Sequence, residues 1–412
     1  MTITATATGS GSGRLTGKAT GKRAGAIMGA LLGALLLGAP ADACAFSGNR
    51  PLRIVSLNAE HMMSPARFEQ WQAFCEPLQW REPQATGDGW RADRQRPETL
   101  TYCNALDGTD GRGRRLFAPV HGRDAWQRKL AQLAALVRAA DADVVLLQEV
   151  SDAEAARAIL GAQYSVASTH ELWRGHSIAQ NLAIGWRTGF AGASPRVELV
   201  EPISQAGADG RRTRPGLALT LDLGGDRRLA ILNLHLKAGC RQGRFNEASS
   251  RKPDRAFRRK ADCAVFQRQV PALERWADDK LRQGIGVVIA GDFNRDLLRE
   301  IRDRMPARSD GSDPARDVRP ERISSLVAEL SDEDPPAAWF ALVRAGRYPK
   351  LADCHRNIDS FLVSRNVEPW LAAPLRQLSA TVMPFAEPLA LDRVRPSDHC
   401  PHLVQLPFKA SD

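Results

Sequence analysis

Six short segments in this chain, four of them apolar runs, each carry a residue able to bind a metal or move a proton. R-I-V-S-L-N ends at Asn58, V-V-L-L-Q-E at Glu149 and I-L-N-L-H at His235. V-V-I-A-G-D-F-N carries Asp292 and Asn294, N-I-D carries Asp359, and R-P-S-D-H carries Asp398 and His399. A compact run of Val, Ile and Leu reads as a buried strand. A buried strand fixes its backbone, so the residue that emerges at its end is held in place. Such rigid placement is what a metal site or a near-attack geometry requires. Gly291, just before Asp292, permits a sharp turn or a close backbone approach.

Helical patterns lie between the runs. Asp124 can cap a helix, with Gln127 three residues on. Trp126, Leu130, Leu133 and Val137 then line one face. Further strands are predicted at 182–186, 217–221, 229–234, 286–290, 358–363 and 403–406. A second helix is predicted over 261–282, with Phe266, Val270, Leu273 and Ala277 inward and Gly284 as its stop. Pro271 should kink that helix or mark a restart. Strands interleaved with helices point to an α/β layered domain of mixed sheets. Insertions are expected near 62–120, 239–263 and 303–337. The first carries Trp71, Trp80 and Trp90, and the last reads as a polar surface excursion.

The N-terminus reads as a signal peptide over residues 1–43. Arg14, Lys18, Lys22 and Arg23 precede an apolar stretch, and Ala41-Asp42-Ala43 offers a cleavage site. The domain proper then spans 44–412, and the protein is expected to be exported, periplasmic or secreted. Cys44 raises a lipoprotein alternative, against which Ala41 and Asp42 argue. Six further cysteines fit disulfides in an oxidising compartment. Neighbour order suggests Cys75–Cys103, Cys240–Cys263 and Cys354–Cys400, out of about 15 possible pairings. Zinc is disfavoured, because no C-x-x-C or tight Cys/His spacing occurs.

Hard oxygen donors such as these favour Mg2+, with Mn2+ or Ca2+ as alternatives. The formal net charge of +10 attracts anionic partners, although an Arg-rich composition alone would also produce it. Residues 241–260 concentrate Arg241, Arg244, Arg251, Lys252, Arg255, Arg258, Arg259 and Lys260. This stretch reads as a basic loop that contacts substrate phosphates, with a solvated charge run as the plainer alternative. No stable protein partner is implied.

Taken in order, the segments resemble those of the endonuclease/exonuclease/phosphatase superfamily, in its exported, deoxyribonuclease-like branch. The resemblance rests on L-N, L-Q-E, N-L-H-L, G-D-F-N, N-I-D and S-D-H, and it spans residues 52–406. It implies a four-layer sandwich of two mixed β-sheets flanked by helices. It implies metal-dependent hydrolysis of phosphoesters, above all the phosphodiesters of DNA or RNA. Glu149, with Asn58 and Asp398, resembles the family's metal-holding group. Asp292 resembles the residue that orients or deprotonates the attacking water, and Asn294 a phosphate or metal-side contact. His399 resembles the histidine on the scissile phosphate, His235 the second histidine, and Asp359 the residue that orients one of them.

One departure is visible. In the deoxyribonuclease branch a second glutamate pairs with the histidine that His235 matches. The comparable stretch here, I-A-Q-N-L-A-I-G-W-R, offers Gln180 or Asn181 and no carboxylate. His61, His121, His170, His176, His355 and His402 read as structural. Two alternative functions stay open: a phosphatase or sphingomyelinase-like phospholipase of the same fold, and a non-catalytic nucleic-acid-binding module.

Overall fold

The computed structural model describes residues 50–409, apart from 82–95, 110–112, 177, 190–194, 208–209, 244, 246–252, 307–319, 349–353, 356 and 386–389. The expected signal peptide, Cys44 and Trp90 lie outside the described residues. So do Arg244, Arg251 and Lys252 of the basic stretch.

The first half of the fold runs β1 (Leu52–Met62), α1 (Pro65–Cys75), α2 (Arg123–Ala140), β2 (Val144–Val150) and α3 (Ala153–Leu160). It continues with β3 (Tyr164–Ser168), α4 (Thr169–Leu172) and β4 (Asn181–Arg187). The second half runs β5 (Arg196–Val200), β6 (Gly216–Asp222), β7 (Arg228–His235), α5 (Pro253–Arg282) and β8 (Gly286–Asp292). Then come α6 (Leu297–Arg302), α7 (Leu326–Leu330), β9 (Phe340–Ala345), β10 (Asp359–Ser364), β11 (Ser379–Val382) and β12 (His402–Leu406). Among the described residues, no helix is long and apolar enough to cross a membrane.

The strands follow one hydrogen-bonded order, β3-β4-β2-β1-β12-β11-β9-β10-β8-β7-β6-β5. Two separate sheets were the expectation; here a short parallel seam, Ser379–Arg344 and Ala380–Ala345, joins the two sides into one mixed sheet. Three apolar clusters hold the sheet and helices together. One joins β1 and β2 to α1, α2 and α3 through residues such as Trp71, Leu133 and Leu147. A second joins β7 and β8 to α5 and α7 through Phe266, Leu273 and Ile289. The third mixes Ile54, Leu146 and Leu182 from one side with Leu219, Ile231 and Val288 from the other. Strands buried on both faces explain the continuous apolar runs in the sequence.

Buried amides also bridge the two sides. Gln148 Nε2 donates to Asn233 Oδ1 at 2.7 Å, and Asn233 Nδ2 donates to Leu147 O at 2.9 Å and Ala183 O at 3.0 Å. A buried polar group needs such partners to avoid a desolvation penalty of about 1–3 kcal/mol.

Several local expectations are corrected. The N-cap of α2 is Gly122, without a side-chain bond; Asp124 sits inside the first turn, where its charge complements the helix dipole. The second long helix starts at Pro253, well before 261, and Pro271 stays inside one continuous element. The basic stretch is therefore not one loop, since Arg255, Arg258 and Arg259 belong to α5. The 303–337 excursion is not all surface: Ile323, Leu326 and Leu330 are buried. Of the three expected tryptophans, Trp71 is fully buried and Trp80 stacks on His121 at 3.9 Å between ring centroids. All three cysteine pairs suggested by neighbour order are bonded: Cys75–Cys103, Cys240–Cys263 and Cys354–Cys400.

Candidate active site

Backbone register builds the centre of the site. Parallel pairing of β7 with β8 sets His235 beside Asp292, and antiparallel pairing of β10 with β8 sets Asp359 on the other side of Asp292. Gly291 makes this row possible. Its φ is +134°, and a Cβ there would lie 2.1 Å from the Leu234 carbonyl oxygen, so no side chain fits. On the other side of the cleft, Glu149 is next to last in β2, and Asn58 lies where the β1–β2 register shifts. Non-glycine residues with left-handed backbone concentrate here: Glu60, His61, Glu149 and Asn294 have φ of 46°, 57°, 58° and 52°. Each costs of order 1–3 kcal/mol, and such strain gathers at functional sites.

The eight expected residues form one connected set. Asn58 Nδ2 donates to Glu149 Oε1 and to Asp292 Oδ2, both at 3.2 Å. His235 Nε2 lies 3.4 Å from Asp292 Oδ2 and 3.6 Å from Glu149 Oε1. His399 Nδ1 meets Asp359 Oδ2 at 2.8 Å, while its Nε2 lies 3.7 Å from Asp292 Oδ2 and 3.8 Å from Asp398 Oδ1. The Asn294 backbone N–H donates to Asp292 Oδ1 at 2.7 Å, and Asn294 Nδ2 to the Leu236 carbonyl at 3.1 Å. Ser397 ties two segments together: its hydroxyl donates to Asn58 O at 2.6 Å and accepts from His399 N–H at 3.0 Å.

Burial and charge then separate the protonation states. Burial pushes the Asp292 carboxyl up to about 7; the nearby Asp359 and Glu149 add to this, against the His399 charge and the Asn294 N–H. For His399, burial disfavours the charged ring, but Asp359 and Asp292 outweigh it and hold the imidazole well above its ordinary range. Burial takes His235 the other way, well below the ordinary histidine value, helped by the charges of Arg214 and His399. For Asp398, burial opposes ionisation, yet the His355 hydrogen bond and the charges of His399 and Arg395 keep the carboxyl well below its usual range. Burial and charge thus favour the charged form of His399 and the neutral form of His235, and hold the Asp292 carboxyl up at about 7.

The set opens into a cleft of about 630 Å³. Arg96, Arg211, Arg212, Arg214, Lys237 and Arg241 line it together with the acids and histidines. Arg241 is thus where the basic stretch reaches the cleft. His61 and His355, read as structural from the sequence, line the cleft, as do Gln180 and Arg214. His61 places Nε2 3.4 Å from Glu149 Oε2 and Nδ1 2.8 Å from Thr101 Oγ1. His355 places Nε2 3.2 Å from Asp398 Oδ2. Gln180 accepts from Arg214, which is itself inside the cleft. The signal for the two histidines was proximity: His61 follows Asn58 by three positions and His355 precedes Asp359 by four. Among the described residues nothing takes the place of the missing glutamate. Neither Gln180 nor Asn181 bonds to His235, whose Nδ1 is buried without a hydrogen-bond partner.

The donor set fits a divalent cation. The Glu149 side chain is 13% exposed, and among the described residues no Lys or Arg pairs with it; its neighbours are Asn58, His61 and His235. The Arg214 guanidinium offsets part of the Glu149 charge without pairing with it, and hard carboxylate and amide oxygens of this kind suit a divalent ion. Asp398, expected to share the ion with Glu149 and Asn58, has its side-chain contacts with His355 and His399. Among the described residues, triads of possible ligand atoms within 4.8 Å of one another are His355–Asp398–His399 and Asp292–Asp359–His399, and Glu149 belongs to neither.

Among the curated proteins, none is similar to this chain at the sequence level. Solved structures resemble it at low identity. TDP2 from Caenorhabditis elegans is 15% identical over 87% of this chain and 74% of its own, with a TM-score of 0.39. The human Nocturnin catalytic domain with bound sulfate is 15% identical over 87% of this chain and 95% of its own, with a TM-score of 0.38. An endonuclease/exonuclease/phosphatase family protein from Bacteroides thetaiotaomicron is 14% identical over 86% of this chain and 94% of its own, with a TM-score of 0.40. The stronger finding is a family-model match over residues 120–399, which takes in seven of the eight expected site residues and leaves out Asn58. The chain belongs to the Endonuclease/Exonuclease/phosphatase family and is a hydrolase of phosphoester bonds.

Proposed function

We propose that the protein is an exported, divalent-metal-dependent nuclease that hydrolyses phosphodiester bonds of DNA or RNA by attack of water. The observation that carries this reading is the triple contact of Asp292 with Asn58, His235 and His399 at the floor of a cation-lined cleft. Asp292 accepts the proton of the attacking water, since its carboxyl is poised near neutrality. His399, kept protonated by Asp359, aims Nε2 at the place where a phosphate oxygen gains charge. His235 is neutral and serves as a hydrogen-bond donor through Nε2; the strong-acid role does not suit it. Asn294 braces Asp292 through its backbone N–H and its side-chain amide, beside the place of the phosphate. Glu149 with Asn58 would hold the ion, Mg2+ or else Mn2+ or Ca2+, whose charge offsets that of the phosphate.

Asp398 then acts at the edge of that group, as a charge beside His399 and His355. The three disulfides agree with an oxidising compartment, which supports export. We also read the two sides of the sheet, packed through their shared apolar cluster with helices outside, as the family's four-layer sandwich.

The test is hydrolysis of plasmid DNA, RNA, bis-p-nitrophenyl phosphate and sphingomyelin, each with Mg2+, Mn2+, Ca2+ or EDTA, beside Asp292→Ala. Nucleic acid degraded by the wild type, and spared with EDTA and in the variant, supports the reading. Activity confined to the lipid transfers the protein to the phospholipase side. Tight DNA binding without turnover would make it a binding module instead.

A further inference from the structure

Residues 101–103 come from the insertion after β1, and each is tied down separately. Thr101 Oγ1 is 2.8 Å from His61 Nδ1. The Tyr102 carbonyl accepts from the indole N–H of the fully buried Trp71 at 3.3 Å. Cys103 is bonded to Cys75. Between two buried neighbours, Tyr102 itself is 51% exposed and lines the same cleft as Glu149, His235, Asp292 and His399. The Arg96 guanidinium covers one face of its ring at 4.3 Å from the centroid. An exposed aromatic ring on an immobilised backbone gains little from folding; its worth lies in what it can receive.

We infer that Tyr102 is a stacking platform for a nucleobase beside the scissile phosphate, and that the insertion after β1 exists to hold it there. The route from ring to reaction centre is short. Thr101 contacts His61, and His61 lies 3.4 Å from Glu149. Arg96, Arg211 and Arg212 line the same cleft and supply charge for the flanking phosphates. A base can lie flat on a tyrosine only when it is out of its duplex stack, so the substrate class is single-stranded nucleic acid. The platform has no hydrogen-bond pattern fixed to one base edge, and it therefore selects for the presence of a base and not for its identity. This inference rests on the nuclease reading and adds the form of the nucleic acid.

The test uses two single-stranded oligonucleotides of equal length, one with ordinary bases and one of abasic residues, with Mn2+ and the full chain. The wild type should show a KM about five- to a hundredfold lower for the base-bearing strand. Tyr102→Leu should bring the two KM values together, and Tyr102→Phe should keep them apart. Equal KM values in the wild type, or an undiminished gap in Tyr102→Leu, overturn the platform while the nuclease reading stands. Cleavage of neither strand overturns the platform, and the nuclease reading falls with it only if plasmid DNA and RNA are also spared by a protein that still hydrolyses sphingomyelin.

Discussion

His399 Nδ1 and Asp359 Oδ2 lie 2.8 Å apart, both buried, so the histidine's charge is stabilised on the side away from the cleft. The bond fixes which nitrogen faces the substrate and raises the imidazole's affinity for its proton. Asp359→Asn should lower kcat about a hundred- to ten-thousandfold. It should also move the alkaline limb of the pH profile downward. Asp359 favours the charged ring, so without it the imidazolium is lost at lower pH. A pH–rate profile with an unmoved alkaline limb would contradict this role.

His61 faces Glu149 from the side opposite Asn58, close to where the ion is proposed to sit. His61→Ala should weaken Mn2+ binding about ten- to a hundredfold, measured by titration calorimetry on the metal-free protein. Thr101→Val should act in the same direction with smaller size, since it removes only the hydroxyl on His61 Nδ1. Unchanged affinity in both variants would leave His61 a packing residue.

A second group of perturbed acids, not among the cleft's lining residues, lies on α5. Burial raises Glu274 to about 8 and Asp278 to about 7, with Glu329 adding to the first. The sign follows from linkage. The folded protein holds these protons and the unfolded chain releases them above its ordinary carboxyl values, so stability falls as pH rises from about 4.5 toward 8. Glu274→Gln should therefore raise stability at pH 8 by about 1–3 kcal/mol, discounted for partial exposure, and change little at pH 4. Urea unfolding at the two pH values gives the comparison.

The Cys354–Cys400 bond joins the residue before His355 to the residue after His399. Replacing both cysteines with serine should cost about 2–5 kcal/mol of stability. It should also reduce kcat, because the two segments that carry Asp359 and His399 lose their covalent tie. Replacing Cys240 and Cys263 removes a bridge of shorter sequence separation whose neighbours are not the acid–histidine pair, and kcat should fall less. Parallel kcat and melting measurements on the two variants separate stability from geometry.

Part of the site was legible because Glu149, His235 and Asp292 sit at or next to a strand's end, whereas Asn58 lies inside β1, Asp359 opens β10, and Asp398 and His399 precede β12. Apolar runs announce buried strands, and a polar residue at the end of a buried strand is seldom idle. Register then did what no single segment could, placing His235, Asp292 and Asp359 side by side. The hidden residues arrive by other routes. His61 lies within the irregular stretch of β1, and its left-handed backbone leaves no period-two pattern to read. His355 sits on an irregular segment that reaches His399 through an isolated bridge. Arg295 was also hidden: it is fully buried, pairs with Glu300 and donates to the Cys240 carbonyl at 2.8 Å, a role its position after G-D-F-N does not advertise. The cap of α2 was misplaced because a glycine can take the cap position without a side chain. The link between the sheet's two sides depends on the short seam of β9 and β11, whose residues carry no pattern of their own.

The amide bridge between Gln148 and Asn233 lies one residue before Glu149 and two before His235. A slip of one residue in either strand would turn its side chains to the opposite face. The bridge would then break, and buried amides would be left facing hydrocarbon. The molecule thus carries a proofreading contact under its reaction centre. A chain that pairs its strands out of step loses the cleft and the amide bonds in the same event, so a mispaired chain has no stable resting place in which to hold a misshapen site.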